Sequence, residues 1–251
     1  MTDYGRALVA SLVSVASFAV NIPVVFVTFR SRRFENDPVA KLIASLAVSD
    51  IGKGVTAGCC AGLAWSLQPG QQAPTWLLRL INSGRYGFGM CSIWHLAAVS
   101  VVRCSIIIRP LTHFTIFTER VLRLIVTTIW TLSLVVGGAT NAGVTVIRFS
   151  RITMRPTVED QQSVFTVAFA LVNFLLPTLI IMVSYAKVFL AVRRQVRSIF
   201  TSGLRHFGSR TIFGSSVRSA KNLFVMFAAH GYYLFLMIAH IWGFLLKPSE
   251  R

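Results

Sequence analysis

Long apolar segments alternate with short polar connections along the chain, and this alternation predicts its architecture. A helix needs about 20 mostly apolar residues to cross the hydrocarbon core of a bilayer. The segments that are long enough are residues 7–29, 39–67, 76–108, 121–147, 164–192 and 222–246. The pattern therefore predicts an all-α membrane protein in which a single bundle of helices crosses the lipid bilayer.

Charged residues are scarce and unbalanced. They make up 13% of the 251 residues, whereas soluble domains contain about 25%. The 25 Lys and Arg residues outnumber the 8 Asp and Glu residues and give a net charge of +17. Such an excess can indicate nucleic-acid binding, but here the basic residues lie between the apolar segments, as they do in membrane proteins with basic cytoplasmic loops. We therefore expect no nucleic-acid partner.

The basic connections predict the orientation of the chain. The connections after the first, third and fifth segments together contain more basic residues than the other connections do, above all the loop at residues 193–221. By the positive-inside rule, these three connections lie in the cytoplasm. We therefore expect a multi-pass plasma-membrane protein with an extracellular N-terminus.

No group of residues in the sequence is typical of an enzyme or of a metal site. Metal-ligand spacings, phosphate-binding loops and nucleophile–base arrangements are absent, so we expect neither catalysis nor a cofactor. The cysteines Cys59, Cys60, Cys91 and Cys104 all lie inside apolar segments and lack zinc-ligand spacing. We interpret them as small packed hydrophobic residues, and His95 as a polar packing group.

Each apolar segment carries at least one residue that differs from it in polarity, bulk or effect on helix shape. In chain order these residues are Asn21, Asp50, Arg103, Trp130, Pro177 with Tyr185, and Phe227. Asp50 ends the run Leu-Ala-Val-Ser-Asp, and Arg103 lies in the stretch from Ser100 to Leu111. In its order and spacing this set resembles the rhodopsin-like family of G-protein-coupled receptors over nearly the whole chain. The resemblance implies a rhodopsin-like helix bundle, with Trp130 and Pro177 in structural roles.

The resemblance also implies coupling to a heterotrimeric G protein. The residues that match coupling and activation positions are Arg103, Pro110, Leu111, Tyr185 and Phe227. Val102 replaces the acidic residue that precedes the arginine in the family, so we expect an unrestrained Arg103 to raise the basal activity. Alternatively, Arg103 is an interfacial arginine whose charged end reaches the membrane surface.

A buried polar core is implied by three further matches. Asn21, Asp50 and Ser92 match the family's polar core, and the last two match positions of its sodium pocket. A buried carboxylate needs a cation or hydrogen-bond donors to stay charged. Lys53 lies one helical turn from Asp50, close enough for an ion pair. Sodium binding, neutralisation of Asp50 by the lysine, and hydrogen bonding alone are therefore three open alternatives.

The ligand pocket follows from the same resemblance. Family members that bind amines carry an aspartate where this chain has Arg85, so an amine is disfavoured and an anionic metabolite, lipid or peptide carboxylate is expected. The alternative is that Arg85 extends outward to the membrane surface. The other candidate pocket residues, each of which can equally be a packing residue, are Phe169, Asn173, Tyr232 and Phe235.

The chain departs from the family in three places. The disulfide that ties the third helix to the second extracellular loop has no counterpart, since Leu78 stands at one position and residues 148–162 contain no cysteine. The loop must then be held in another way. In the sixth segment Gly231 and Tyr233 replace the family's tryptophan and proline. The seventh helix is missing, and we expect the sequence to be a fragment rather than a six-helix variant.

Two functions are compatible with these matches. The first is a receptor that senses an extracellular small-molecule or peptide ligand and signals to a heterotrimeric G protein. The second is a truncated non-signalling or decoy receptor that pairs with a full-length receptor, which the missing seventh helix and the altered sixth segment favour. A transporter is disfavoured because neither inverted repeats nor broken half-helices occur in the sequence.

Overall fold

The structure is a computed structural model that describes residues 3–31, 37–68, 70–142, 146–158 and 171–201. Its elements are α1 (Asp3–Arg30), α2 (Pro38–Ser66), α3 (Thr75–Ile108), α4 (Pro110–Ile116), α5 (Glu119–Ala139), β1 (Ile147–Ser150), β2 (Arg155–Val158), a π-helix (Leu171–Leu175) and α6 (Leu176–Thr201). Within the described residues, α1, α2, α3, α5 and the π-helix with α6 give five helices long and apolar enough to cross a membrane. This confirms the predicted fold class, while the sixth apolar segment, residues 222–246, lies outside the described residues.

The helices expose large apolar side chains in the way expected of a protein that is solvated by lipid. On α1, Val15, Val20 and Phe29 are 64%, 65% and 76% exposed. In water such a surface would be an interaction site or would cause aggregation, whereas hydrocarbon tails solvate it. A helix also satisfies its backbone hydrogen bonds internally, as the bilayer core requires.

Local sequence signals explain where two of the helices begin. The Asp37 carboxylate accepts a hydrogen bond from the Val39 N–H at 2.9 Å. Pro38 occupies the first turn of α2, where its missing N–H leaves no partner unsatisfied. At the start of α5, the Thr118 hydroxyl accepts a hydrogen bond from the Val121 N–H at 3.4 Å. Capping side chains of this kind satisfy N–H groups that have no partner inside the helix.

The helix α5 ends at Ala139, whereas the hydropathy pattern predicts a helix that continues to residue 147. The amide of Asn141 holds the chain to α3, because its Nδ2 donates to the Arg79 carbonyl at 2.9 Å and to the Ser83 hydroxyl at 2.6 Å. The chain therefore leaves the helix at this point. The apolar Ile147 begins an antiparallel hairpin of β1 and β2 instead, which the sequence analysis did not predict.

A short π-helix precedes α6. Residues Leu171–Leu175 are π-helical, and Pro177 lies in the first turn of α6. Proline lacks an N–H, and its ring crowds the carbonyl four residues earlier, so the backbone widens before it. The helix α6 then continues to Thr201 and so extends into the predicted basic loop at residues 193–221. The rest of that loop lies outside the described residues.

The chain divides into two compact units. The first comprises Met1–Val99 and Thr115–Phe165, and the second comprises Ser100–Phe114 and Thr166–Arg251. The first unit thus contains α1, α2, most of α3, α5 and the hairpin. The second contains the end of α3, most of α4, the π-helix and α6.

Small residues bring α3 and α5 of the first unit into backbone contact. A Cβ added to Gly137 would lie 2.7 Å from the Ser83 carbonyl oxygen and 3.0 Å from the Cα of Gly87. A Cβ added to Gly87 would lie 3.1 Å from the Ser133 carbonyl oxygen. Pairs of small residues spaced four apart on facing helices allow this close approach in membranes, where the hydrophobic effect does not drive helix association.

Candidate functional site

A polar triangle joins α2 and α3 at the position of Asp50. The Lys53 ammonium lies 2.6 Å from Asp50 Oδ1 and donates to the Ser92 hydroxyl oxygen at 2.9 Å. The Ser92 hydroxyl in turn donates to Asp50 Oδ1 at 2.6 Å. The structure thus brings Asp50 and Ser92 together, as the resemblance implies, and adds Lys53 as their shared partner.

Asn21 lies apart from this triangle. Its side-chain amide donates to the Ser17 carbonyl of its own helix at 2.9 Å. The link from α1 to Asp50 is made instead by Ser17, whose hydroxyl donates to the backbone carbonyl of Asp50 at 2.7 Å. The role of Asn21 in a shared polar core stays a prediction.

The residues of the triangle do not fit a bound sodium ion. Sodium would need oxygen atoms of Asp50 and Ser92 as ligands, but the Lys53 ammonium lies within hydrogen-bond distance of both. One carboxylate would then face two monovalent cations. Among the described residues, no group of three or more His, Cys, Asp or Glu side chains could hold a metal ion.

A second polar network joins α2, α3 and α5 around His95. The Trp130 indole N–H donates to the Ser45 hydroxyl oxygen at 2.9 Å, and the same oxygen lies 2.9 Å from His95 Nε2. Since a carbonyl can only accept, the His95 Nδ1 carries the proton that is donated to the Cys91 carbonyl at 2.8 Å. The Nε2 of the neutral ring therefore accepts the Ser45 hydroxyl proton. His95 is thus fully buried as a neutral ring with both nitrogens bonded, which is the packing role that we expect for it.

Arg85 points into the first unit with part of its guanidinium unsatisfied. Its Nε is buried and has no hydrogen-bond partner among the described residues. Its guanidinium carbon lies 4.3 Å from the centre of the Tyr86 ring, a cation–π contact. Arg155 of β2 lies close enough for their charges to interact: burial and the positive charge of Arg85 lower the pKa of Arg155 below the usual range of arginine. The guanidinium groups of Arg85 and Arg155 therefore both contribute positive charge to the space beside Arg85 Nε.

The hairpin is held to α2 and α3 by an apolar cluster, here called the cap cluster. Its buried members are Cys60, Ala73, Leu78, Ile81, Ile147 and Phe149. Leu78, at the position where the family has a cysteine, is only 1% exposed. Polar contacts reinforce the cluster, since the Phe149 N–H donates to Gln72 Oε1 at 3.0 Å and the Arg151 guanidinium donates to the Leu67 carbonyl. Apolar packing thus holds the hairpin without a disulfide.

The end of α3 presents an exposed arginine in the second unit. Arg103 is exposed, while its neighbour Val102 is fully buried. No acidic side chain pairs with Arg103 in the part of the chain that the structure describes. Leu111 on α4 is 90% exposed, so a large apolar side chain lies uncovered on the short helix that follows α3. Pro110 is in the same short helix.

The remaining candidate residues are only partly described. Asn173 in the π-helix and Pro177 are buried, and Tyr185 on α6 is half-buried. The other predicted positions, Phe169, Phe227, Tyr232 and Phe235, lie outside the described residues.

Three residues of these networks were missed by the sequence analysis. Ser45 is one of several small polar residues on α2, and nothing in the sequence distinguishes it. Gln72 lies in the connection between α2 and α3, and Arg155 lies on β2. Both are far along the chain from the residues that they approach, Phe149 and Arg85. Such contacts depend on the tertiary fold, and the chain carries no local signal for them.

Comparison with known proteins agrees with this architecture. The family profile described as "7 transmembrane receptor (rhodopsin family)" matches residues 20–245. Trace amine-associated receptor 7d of Rattus norvegicus is 31% identical over 173 residues, which cover 65% of this chain and 47% of the relative. Trace amine-associated receptor 7b of Mus musculus is 33% identical over 121 residues, which cover 45% of this chain and 33% of the relative. The chain thus spans about half the length of these relatives or less.

The family match extends over most of the chain and agrees with the five membrane-spanning helices of the described residues. It confirms the resemblance drawn from the residues and excludes an enzyme. The chain therefore belongs to the rhodopsin family of seven-transmembrane receptors and is a multi-pass membrane protein.

Proposed function

We propose that this protein is a plasma-membrane receptor with an extracellular N-terminus that senses an extracellular ligand and activates a heterotrimeric G protein. The observation that carries the proposal is the exposed Arg103 at the end of α3, with no acidic partner among the described residues. Family membership supports the same conclusion.

The surface around Arg103 has the chemistry of a docking site. A guanidinium offers five N–H donors in a fixed geometry, which suits the carbonyl groups at the end of a partner helix. Leu111 adds an apolar side chain that is 90% exposed, and large apolar side chains near the centre of an interface contribute much of its affinity. We assign Arg103, Pro110 and Leu111 to G-protein contact. Tyr185 and Phe227 are assigned to the activating movement by their match to the family.

The test is nucleotide exchange on a panel of purified heterotrimeric G proteins. Membranes that contain the wild-type chain should accelerate exchange on at least one of them, and Arg103→Ala and Leu111→Ala should each reduce that rate by about tenfold or more. Arg30→Ala, which removes an exposed arginine at the end of α1, serves as the control and should leave the rate unchanged. A wild-type rate equal to that of empty membranes for every G protein would contradict the proposal.

The ligand that we propose carries a carboxylate or phosphate group. The names of the relatives associate them with trace amines, but in this chain a positive amine would meet two guanidinium groups, Arg85 and Arg155. The unsatisfied Nε of Arg85 instead offers a buried donor to an anion. Charge-assisted hydrogen bonds between arginine and a carboxylate are short and strong.

A size-matched panel of amines, carboxylates and phosphates tests the ligand class. Activation by an anion should weaken about 10- to 100-fold in Arg85→Ala, the factor expected for a lost charge-assisted hydrogen bond. Arg79→Ala removes an exposed arginine from the same helix and should preserve the potency. Activation by an amine with unchanged potency in Arg85→Ala would rule out this assignment.

A second candidate function is favoured by the sixth apolar segment. Gly231 and Tyr233 stand where the family has the tryptophan and proline of its activation motif. A chain altered there could pair with a full-length receptor and suppress it without signalling itself. Co-expression separates the two functions: a decoy lowers the surface level or the signal of its partner and gives no nucleotide exchange alone.

A further inference from the structure

The triangle of Asp50, Lys53 and Ser92 carries no net charge. The carboxylate of Asp50 carries one negative charge, and the Lys53 ammonium lies 2.6 Å from it. The hydroxyl of Ser92 lies 2.9 Å from the ammonium and 2.6 Å from the carboxylate oxygen. Each of the three groups contacts the other two, and the net charge of the triangle is zero.

We propose that Lys53 is a covalently attached counter-cation that takes the place of a bound sodium ion and makes this receptor insensitive to sodium. The proposal concerns the conformational stability of the helix bundle and is independent of the ligand and the G protein. It follows from the failure of Asp50 and Ser92 to fit a metal ion while Lys53 contacts both.

The geometry of α2 explains why the lysine reaches the carboxylate. Residues three apart lie on the same face of a helix, so the Lys53 stem needs to span only one turn to place its ammonium beside Asp50. The two side chains are only 36% and 24% exposed, and a partly buried carboxylate needs a nearby cation to remain charged. The cation therefore comes from the chain itself.

Covalent attachment makes this cation independent of the solution. A dissolved ion occupies a site in proportion to its concentration, whereas a tethered group acts at a fixed effective concentration. A sodium ion at the same oxygens would also lie next to the ammonium, and like charges in a poorly hydrated site repel strongly. The Lys53 ammonium therefore excludes sodium in two ways: it occupies the position beside both oxygens, and its positive charge repels the ion.

The test is thermal unfolding of the purified full chain in detergent, followed by tryptophan fluorescence. Each variant is compared in sodium chloride and in choline chloride at equal ionic strength, because choline is too large for a site of this kind. The wild type should unfold at the same midpoint in both salts. Lys53→Gln removes the ammonium, so Asp50 and Ser92 become available to sodium. Its midpoint should rise by about 2 °C or more in sodium chloride and increase with the salt concentration.

Two control variants separate the effect of the Lys53 ammonium from general effects of salt on stability. Lys41→Gln disrupts an exposed lysine–glutamate pair with Glu119 and should show no difference between the two salts. Lys53→Arg keeps a cation in place and should be as insensitive to sodium as the wild type. This variant also keeps the proposal testable if Lys53→Gln does not fold.

Two results would overturn the proposal. A midpoint of the wild type or of Lys53→Arg that rises specifically in sodium chloride would show that sodium binds beside the cation. A folded Lys53→Gln that is as insensitive as the wild type would show that the lysine is not what excludes sodium.

Discussion

At the residue scale, the charge balance at the end of α3 depends on Val102. This side chain is fully buried, and its neighbour Arg103 is exposed. With no acidic side chain paired to it among the described residues, Arg103 is free to meet a partner without first breaking an ion pair. An acidic residue at position 102 would be buried, and a buried carboxylate needs a counter-ion such as the adjacent guanidinium to stay charged.

Introducing an acid at this position should therefore reduce signalling in the absence of ligand. We expect Val102→Asp to lower basal nucleotide exchange by about fivefold or more, because releasing Arg103 would leave the new carboxylate buried without a counter-ion. Val102→Asn introduces a side chain of nearly the same shape as aspartate but without its charge. The basal rate of this variant should be higher than that of Val102→Asp. Equal basal rates in the two variants would contradict the ion-pair explanation.

The Ser45 hydroxyl is the point where three helices share one hydrogen-bond network. It accepts from Trp130 and donates to His95, each at 2.9 Å. Trp130→Phe removes only the first of these bonds, so we expect a loss of about 1 kcal/mol in the free energy of unfolding. Trp76→Phe, at a side chain that is 67% exposed, is the matched control. Thermal unfolding in detergent measures both, and equal losses would argue against the network.

The sequence predicts residue contacts well when the partners share a helix and poorly when they do not. The pair of Lys53 and Asp50 follows from helical spacing alone, and the family match adds Ser92. The approach of Arg155 to Arg85 has no such signal, because the two residues belong to a hairpin and a helix that meet only in the folded chain.

At the element scale, the contact between α3 and α5 depends on the absence of a side chain at Gly137. A Cβ there would lie 2.7 Å from the Ser83 carbonyl oxygen, whereas a Cβ at Gly138 would meet nothing within 4 Å. We expect Gly137→Ala to destabilise the protein by about 1–3 kcal/mol, as overpacking does. Gly138→Ala introduces the same atom on the same helix and should be neutral or slightly stabilising. Equal unfolding midpoints for the two variants would show that the helices do not approach so closely.

The hairpin depends on Leu78 of the cap cluster. Leu78→Ala should cost about 2–5 kcal/mol, the usual range for a buried leucine. It should also speed hydrogen exchange at the backbone of Ile147 and Phe149, which lie in the same cluster. Leu80→Ala, at a side chain on α3 that is 63% exposed, should change neither quantity. Unchanged exchange in Leu78→Ala would mean that the hairpin is held by other contacts.

Hydropathy finds the membrane helices because each needs about 20 apolar residues. The same criterion fails between Ala139 and Ile147, since an apolar composition alone does not distinguish a helix end from a hairpin strand. Each strand has only four residues, which is too short to stand out in a hydropathy profile. Proline is also uncommon in strands, so Pro156 argues against β2 at the level of sequence. The side-chain bonds of Asn141 to α3, which are tertiary contacts, define the boundary.

At the scale of the whole molecule, all four cysteines of the chain are free thiols. Stability should therefore be independent of reducing agents. We expect the same unfolding midpoint with and without a strong reductant, whereas loss of a structural disulfide typically costs about 2–5 kcal/mol. A midpoint that falls in reductant would reveal a disulfide between copies of the chain or an altered pairing, and would contradict this expectation.

The overall architecture is the property that the sequence predicts best. Composition and hydropathy identify a helical membrane protein, and one marker per segment identifies the family. The sequence does not reveal how a receptor without the usual cysteines holds the hairpin, because the cap cluster combines residues from α2, the connection that follows it, α3 and β1. Its members are ordinary apolar residues, and only the fold makes them neighbours.

The cap cluster has a consequence for how the protein is made. A hairpin fastened by apolar packing requires no oxidation step, so we expect the hairpin to form without an oxidising compartment or an isomerase that corrects wrong pairings. Cell-free translation into lipid nanodiscs under fully reducing conditions should then yield the same hairpin as expression in cells.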